Sequence, residues 1–281
     1  MMSPIHHKAF HPLHEYLPDI VGWRKKMVHP TPDSELDTLF NSLVPGSLTL
    51  VCSFYTHSAT APVTALMRRA ALFRVKDRRH VLWAGLNSCA VTGTALCLAQ
   101  EADVPFERIL QGDLTPKQSR LVKAAKERLS PYRFVHWDVW GTDRKRFEAE
   151  IERFVEEGGH LLVIDSLDLV AKEHLGRDEA EWLRSLATRH KLPILVGQEL
   201  RVPNDPEVDK MRWFWNEKAP RLAQISHEWM DTVISIWPED HSGKAEDKQE
   251  VVVEVLKDPT GLRSRVRAEY RKASGWIGVS P

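Results

Sequence analysis

An apolar run, LTLVC at 48–52, is followed by the octet Ser53, Phe54, Tyr55, Thr56, His57, Ser58, Ala59 and Thr60, and then by a helical pattern over 63–76. A buried strand, a loop and a helix in that order aim backbone N–H groups at a helix N-terminus, an arrangement that can hold a phosphate. A second apolar run, 160–164, has no polar residue after its first and leads directly into Asp165. In open α/β sheets ligands bind at the carboxyl ends of the strands, so a ligand is expected where these runs end. Two further groups of residues carry charge. Residues 210–221 set Met211, Trp213, Phe214 and Trp215 among lysines and arginines. That mixture can stack bases and hold phosphates, or plug a hydrophobic surface. Arg263, Arg265, Arg267 and Arg271 lie along a strand-like stretch. They could face phosphate, or keep a sheet edge soluble. The tail histidines His6, His7, His11 and His14 have no cysteine or paired carboxylate beside them, so a solvated tail is expected rather than a metal site.

The elements that must position these residues alternate. Strand patterns at 48–52, 81–84, 134–137, 160–164 and 193–196 are separated by helical patterns at 63–76, 90–101, 116–129, 144–157 and 178–190. Thr115 is the expected cap of the 116–129 helix. Three later strands, 232–237, 250–256 and 266–270, have no long helix between them. Alternation of this kind predicts an α/β fold with a mostly parallel sheet covered on both faces, extended by antiparallel edge strands. With 281 residues, 42% hydrophobic and 28% charged, the chain is long enough to bury a large core and has ordinary globular composition. Its formal net charge of zero leaves no global field to attract nucleic acid. No apolar run approaches the roughly 18 to 20 residues of a membrane span. The three cysteines, Cys52, Cys89 and Cys97, have no metal spacing, which points to a reducing, cytoplasmic setting.

Several motifs in one order resemble the C-terminal, RecA-like motor domain of DnaB-type replicative helicases (superfamily 4). They are PTPDSELDTLFNSLVPGSLTLV, VLWAGLNSC, AQEADVPFERILQGDLTPKQ, HLLVIDSLDLV, LPILVGQELR, HEWMDTVISIW and VVEVLKDPTG. The resemblance covers about 27–276, leaving residues 1–26 as an N-terminal arm or linker helix. It implies a RecA-like P-loop fold. HLLVIDSLDLV resembles the family's Walker B strand, which would let Asp165 hold Mg²⁺ through water. Gln198 matches the family's phosphate-sensing glutamine, and Arg201 a nearby basic residue.

The same resemblance shows what is missing. A working P-loop reads G-x-x-x-x-G-K-[ST]. The octet from Ser53 to Thr60 keeps the length and Thr60, but has no glycine, and Ala59 stands at the lysine position. Loss of that lysine removes a charge-assisted contact worth about 1.5 to 3 kcal/mol. Ser53 and Ser58 replace glycines where positive φ is expected, at roughly 1 kcal/mol of backbone cost. Asn87 occupies the position of the family's catalytic glutamate, and an amide cannot serve as a general base. No arginine finger precedes the turn DPTG, where Lys257 is the available cation; such fingers are worth about 10³ to 10⁵ in rate. These changes point to a pseudo-ATPase without a bound cofactor, with Ser53, Ser58, Ala59, Thr60, Asp165, Gln198 and Lys257 as a vestigial nucleotide site. Thr60 and Asp165 would hold metal only together with Mg-nucleotide.

Arg221 aligns with an arginine in a DNA-gripping loop of the family, so Arg201, Arg221, Arg263 and Arg265 are the candidate contacts to single-stranded DNA. The amphipathic segment 13–26 matches a family linker helix that docks on the adjacent subunit. A homo-oligomer, or association with a replicative helicase subunit, follows as the expected partnership. The motifs do not include the family's separate N-terminal domain, which implies a partner or mimic of a helicase in DNA replication or mobile-element biology. Two rival expectations are an active ATP-dependent helicase with a divergent loop, using ATP and Mg²⁺, and a structural oligomer subunit that never touches DNA.

Overall fold

The computed structural model describes residues 35–53, 62–75, 80–85, 90–130, 133–139, 142–165, 177–199, 229–238, 247–259 and 264–279. The arm, residues 1–26, lies outside them.

A short helix, α1 (Glu35–Thr38), runs into a 3-10 turn, Leu39–Ser42, before β1 (Leu48–Ser53). Then come α2 (Pro62–Val75), β2 (His80–Gly85), α3 (Ala90–Ala102), α4 (Phe106–Gln111) and α5 (Pro116–Leu129). They are followed by β3 (Phe134–Asp138), α6 (Arg144–Glu156), β4 (Gly159–Ile164), α7 (Arg177–His190) and β5 (Ile194–Glu199). Four strands end the chain: β6 (Thr232–Pro238), β7 (Lys248–Lys257), β8 (Arg265–Arg271) and β9 (Trp276–Gly278). All form one sheet in the order β3-β2-β4-β5-β1-β6-β7-β8-β9. From β3 to β6 neighbours run parallel, and from β6 onward antiparallel. The expected architecture therefore holds. One expectation needs correction: β8 is not the sheet's edge, because β9 pairs with Glu269, Tyr270 and Arg271.

Local chemistry sets the helix ends. Pro62 opens α2, where its missing N–H costs nothing. Thr115 forms a full capping box with Gln118: each side chain bonds the other's backbone N–H, at 3.3 and 3.0 Å. Asp143 accepts from the Arg146 amide at 2.8 Å and starts α6.

Strand alternation divides the core in two. Val51, Val163, Leu195, Ile234 and Ile236 face α2, together with Leu36, Phe40, Tyr270 and Ile277. Leu50, Cys52, Leu162, Ile164, Val196 and Val233 face α6 and α7, meeting Phe147, Ile151, Leu183 and Leu186. β1 is buried along its whole length, as a central parallel strand should be. α2 is buried on nearly every side, because the chain's last strands and α1 pack on it as well as the central sheet. Arg69 of α2 ties these outer parts together. It donates to both carboxylate oxygens of Asp37, at 2.8 and 3.0 Å, and to the Ile277 carbonyl at 2.8 Å. At the corner between α3 and α4, Asp103 accepts from Ser274 at 2.9 Å and from Arg271, and the Phe106 amide donates to the Ala273 carbonyl at 2.8 Å. No helix among the described residues is long and apolar enough to cross a membrane.

Candidate functional site

β1 and β4 deliver Ser53 and Asp165 to the carboxyl end of the sheet, where β1 heads toward α2. Both are buried, Asp165 at 6% exposure. Alternation from Val51 and Val163 puts both on the α2 face. The Asp165 amide donates to the Ala84 carbonyl of β2 at 3.2 Å, which fixes the end of β4. Strands β4 and β1 are separated only by β5, so Ser53 and Asp165 stand roughly 10 Å apart in the sheet direction.

Gln198 is not brought to them. It is paired in register with Cys52, whose side chain belongs to the α6–α7 face. Directly paired residues share a face. Its buried Oε1 has no hydrogen-bond partner among the described residues. The family likeness alone had grouped Gln198 with Asp165; the pleat separates them.

Lys257 is also remote from the loop of its own chain. It pairs with Val233, and Val233 sits beside Leu50 of β1. That level lies three residues, roughly 10 Å, back from Ser53 along the strand. A cation there can serve a phosphate site only in another copy of the chain, which agrees with a role in trans and excludes one in cis.

Between Asp165 and Ser53 lies Gly197 of β5, on the α2 face by its pairing with Val51. A β-carbon there would stand 2.6 Å from Met67 Sδ and 2.8 Å from the Asp165 carbonyl oxygen. Only glycine lets α2 come down this close to the strand ends. Gly197→Ala is expected to cost about 1 to 3 kcal/mol through overpacking. Urea denaturation checks this, and an unchanged midpoint would mean that Met67 and the end of β4 yield freely.

Arg68 was not legible as a site residue. It lies on α2 at 2% exposure, donating Nε to Gln100 Oε1 at 3.2 Å, while Gln100 Nε2 donates to the Ala65 carbonyl at 2.9 Å. Trp83, Gly93, Cys97, Phe134 and His136 line a narrow crevice with it. Burial lowers the Arg68 pKa, while interactions with Cys97, Tyr270 and Asp165 raise it. The one sequence signal was a cation pair, Arg68–Arg69, inside an otherwise apolar helix.

The basic residues of the last strands are mostly engaged. Arg271 pairs with Asp103 and Glu269 and lies over Trp276, 4.4 Å from the ring centre. Its hydrogen bond holds the Glu269 carboxyl below the usual range. Arg265 lies 5.7 Å from the Trp237 ring and is paired in register with Glu254. Anions thus alternate with cations on this face, which fits a soluble surface better than a phosphate track. Phe54, Tyr55, Ser58, Ala59, Thr60, Asn87, Arg201, Arg221 and Arg263 lie outside the described residues, as does the whole stretch 210–221.

For Mg-nucleotide, the donor set on the described α2 face is one carboxylate and one serine, with the nearby guanidinium buried among protein groups. That set is a poor match for a triphosphate with its metal.

No family model matches the sequence, and no curated protein does. Solved structures do match. One, the ATPase domain of a DnaB-like helicase, superposes with a TM-score of 0.74 at 14% identity, over 96% of this chain and 99% of that one. Another, a DnaB-like replicative helicase described with its interactions with primase, gives 0.71 at 13% identity, over 95% of this chain and 66% of that one. The chain therefore has the fold of DnaB-like helicase ATPase domains.

Proposed function

We propose that this protein is a DnaB-like helicase-domain pseudo-ATPase that works in DNA replication or mobile-element biology by binding a protein partner, another copy of itself or a replicative helicase subunit. The observation that carries the reading is the octet Ser53 to Thr60. It follows the central strand β1 and precedes the buried helix α2, the place of a phosphate loop, yet it contains no glycine and no lysine. Asn87 in place of the glutamate and the missing arginine finger support the same conclusion. Contact with single-stranded DNA is the secondary element of the proposal. It rests on Arg201, Arg221 and the aromatic-basic stretch 210–221, since Arg265 already stacks on Trp237 and Arg271 is already paired.

The rival reading, an active helicase, draws on one observation: Lys257 lies at the end of the sheet from which a cation could serve a neighbouring copy. Steady-state turnover separates the two. Purified protein is expected to release phosphate from ATP no faster than background, with Asp165→Ala unchanged. Hydrolysis that Asp165→Ala abolishes would establish the rival. For partnership, light scattering of a variant lacking residues 1–26 is expected to give a smaller species than the full chain, whereas an unchanged mass would remove the arm from the assembly. A mobility assay with single-stranded DNA across a salt series tests the secondary element, since phosphate contacts weaken steeply with salt.

A further inference from the structure

We propose that Arg68 is the internal counter-ion of Asp165, a built-in cation that balances the strand-end carboxylate in place of a metal. Both side chains are almost fully buried, at 2% and 6% exposure. Both lie on the side of the sheet that α2 covers. The chain brings them close by two routes. Met67, next to Arg68, and the Asp165 carbonyl both crowd Gly197, so α2 rests directly on the end of β4. Trp83 borders the same crevice as Arg68, and its neighbour Ala84 accepts the Asp165 amide.

Charge balance makes the assignment. The acceptor of Arg68 Nε is Gln100, an amide, which cannot neutralise a guanidinium. Burial lowers the Arg68 pKa, and three groups oppose it: Cys97, Tyr270 and Asp165. Two of these carry no charge at neutral pH. Burial pushes the Cys97 thiol up to about 11, and a phenol is uncharged near pH 7. Asp165 is left as the group whose negative charge offsets Arg68 in the working pH range. A buried charge without a partner is strongly destabilising, so each of the two needs the other. The consequence for the site is direct: Asp165 has no uncompensated charge to offer a divalent cation. The pairing can be measured without any nucleotide, so its test stands apart from that of ATP turnover.

The experiment is a double-mutant cycle read by urea denaturation, with Arg68→Met, Asp165→Asn and the double variant. Each single change is expected to lower the midpoint. Arg68→Met is expected to cost less than half as much in the Asp165→Asn background as in the parent, because the orphaned carboxylate is then gone. Equal losses in both backgrounds would overturn the pairing. If Arg68→Met does not fold, recovery of a cooperative transition in the double variant supports the pairing, and failure of the double variant as well overturns it. Magnesium chloride alone supplies a second readout that a merely structural arginine would not move. Millimolar Mg²⁺ is expected to raise the melting temperature of Arg68→Met, and to leave the parent and the double variant where they are. Stabilisation of the parent by Mg²⁺ that Asp165→Asn removes would show an uncompensated carboxylate and overturn the proposal.

Discussion

Arg69→Met is expected to lower stability by about 3 kcal/mol, which for a chain of this size is a fall in melting temperature of roughly 5 to 10 °C. The methionine keeps most of the apolar bulk but strands Asp37, which is 2% exposed. In the parent both Asp37 oxygens are bonded by Arg69, so the substitution leaves a buried carboxylate facing apolar neighbours. It also removes the donor to the Ile277 carbonyl, and with it the link between α1 and β9 across α2. The Arg69 side chain keeps 21% of its exposure, which argues for the lower end of the usual 3 to 5 kcal/mol for breaking a buried pair. Asp37→Asn in the same background should restore part of the loss, because an amide tolerates burial where a carboxylate does not. Thermal unfolding of the two variants checks this. A fall confined to about 1 °C would mean that water or another group already serves Asp37.

The second large effect concerns the loop. Ala59→Lys is expected to leave ATP binding undetectable. A lysine restores a contact worth about 1.5 to 3 kcal/mol, or roughly ten- to a hundred-fold in affinity. The lost glycines remain, so the amide cradle still needs backbone conformations that Ser53 and Ser58 disfavour. Phe54 and Tyr55 put two aromatic side chains into a loop that ordinarily presents bare backbone. Nearby, the buried cation Arg68 and the closely packed Gly197 leave α2 little freedom to retreat from the strand ends. The substitution itself should be tolerated, because it precedes the helix start at Pro62. Micromolar ATP affinity in this single variant would show a loop backbone still shaped for phosphate.

The layout of the sheet was legible because its strands are apolar runs separated by helices with clear periodicity. Thr115 could be recognised as a cap because capping is local chemistry. Two short elements were not recognised as separate elements. α1 is one turn long, and β9 owes its existence to pairing with β8 and to the burial of Ile277. Neither leaves a periodic trace in so few residues. The separation of Gln198 from Asp165 depends on register, which is a property of pairing and not of either strand alone. Arg68 was missed for a different reason. A cation in an apolar helix normally marks the solvent side, and here there is no solvent side, because α2 is covered by α1 and the last strands as well as by the central sheet. Lys257 stood out in the sequence only as an available cation, and the antiparallel turn of β7 is what carries it away from the loop of its own chain. The basic residues of β8 were read singly, and their acidic neighbours Glu254, Glu269 and Asp103 come from three other places in the chain or the register.

Titration of the full-length protein with ATP and Mg²⁺ in a calorimeter is the most direct test of a domain that has kept the fold of a helicase motor without its nucleotide chemistry. The expected result is no heat of binding up to millimolar nucleotide, with Asp165→Asn giving the same flat trace. Saturable binding at micromolar ATP that Asp165→Asn weakens would show a competent phosphate site and contradict the account.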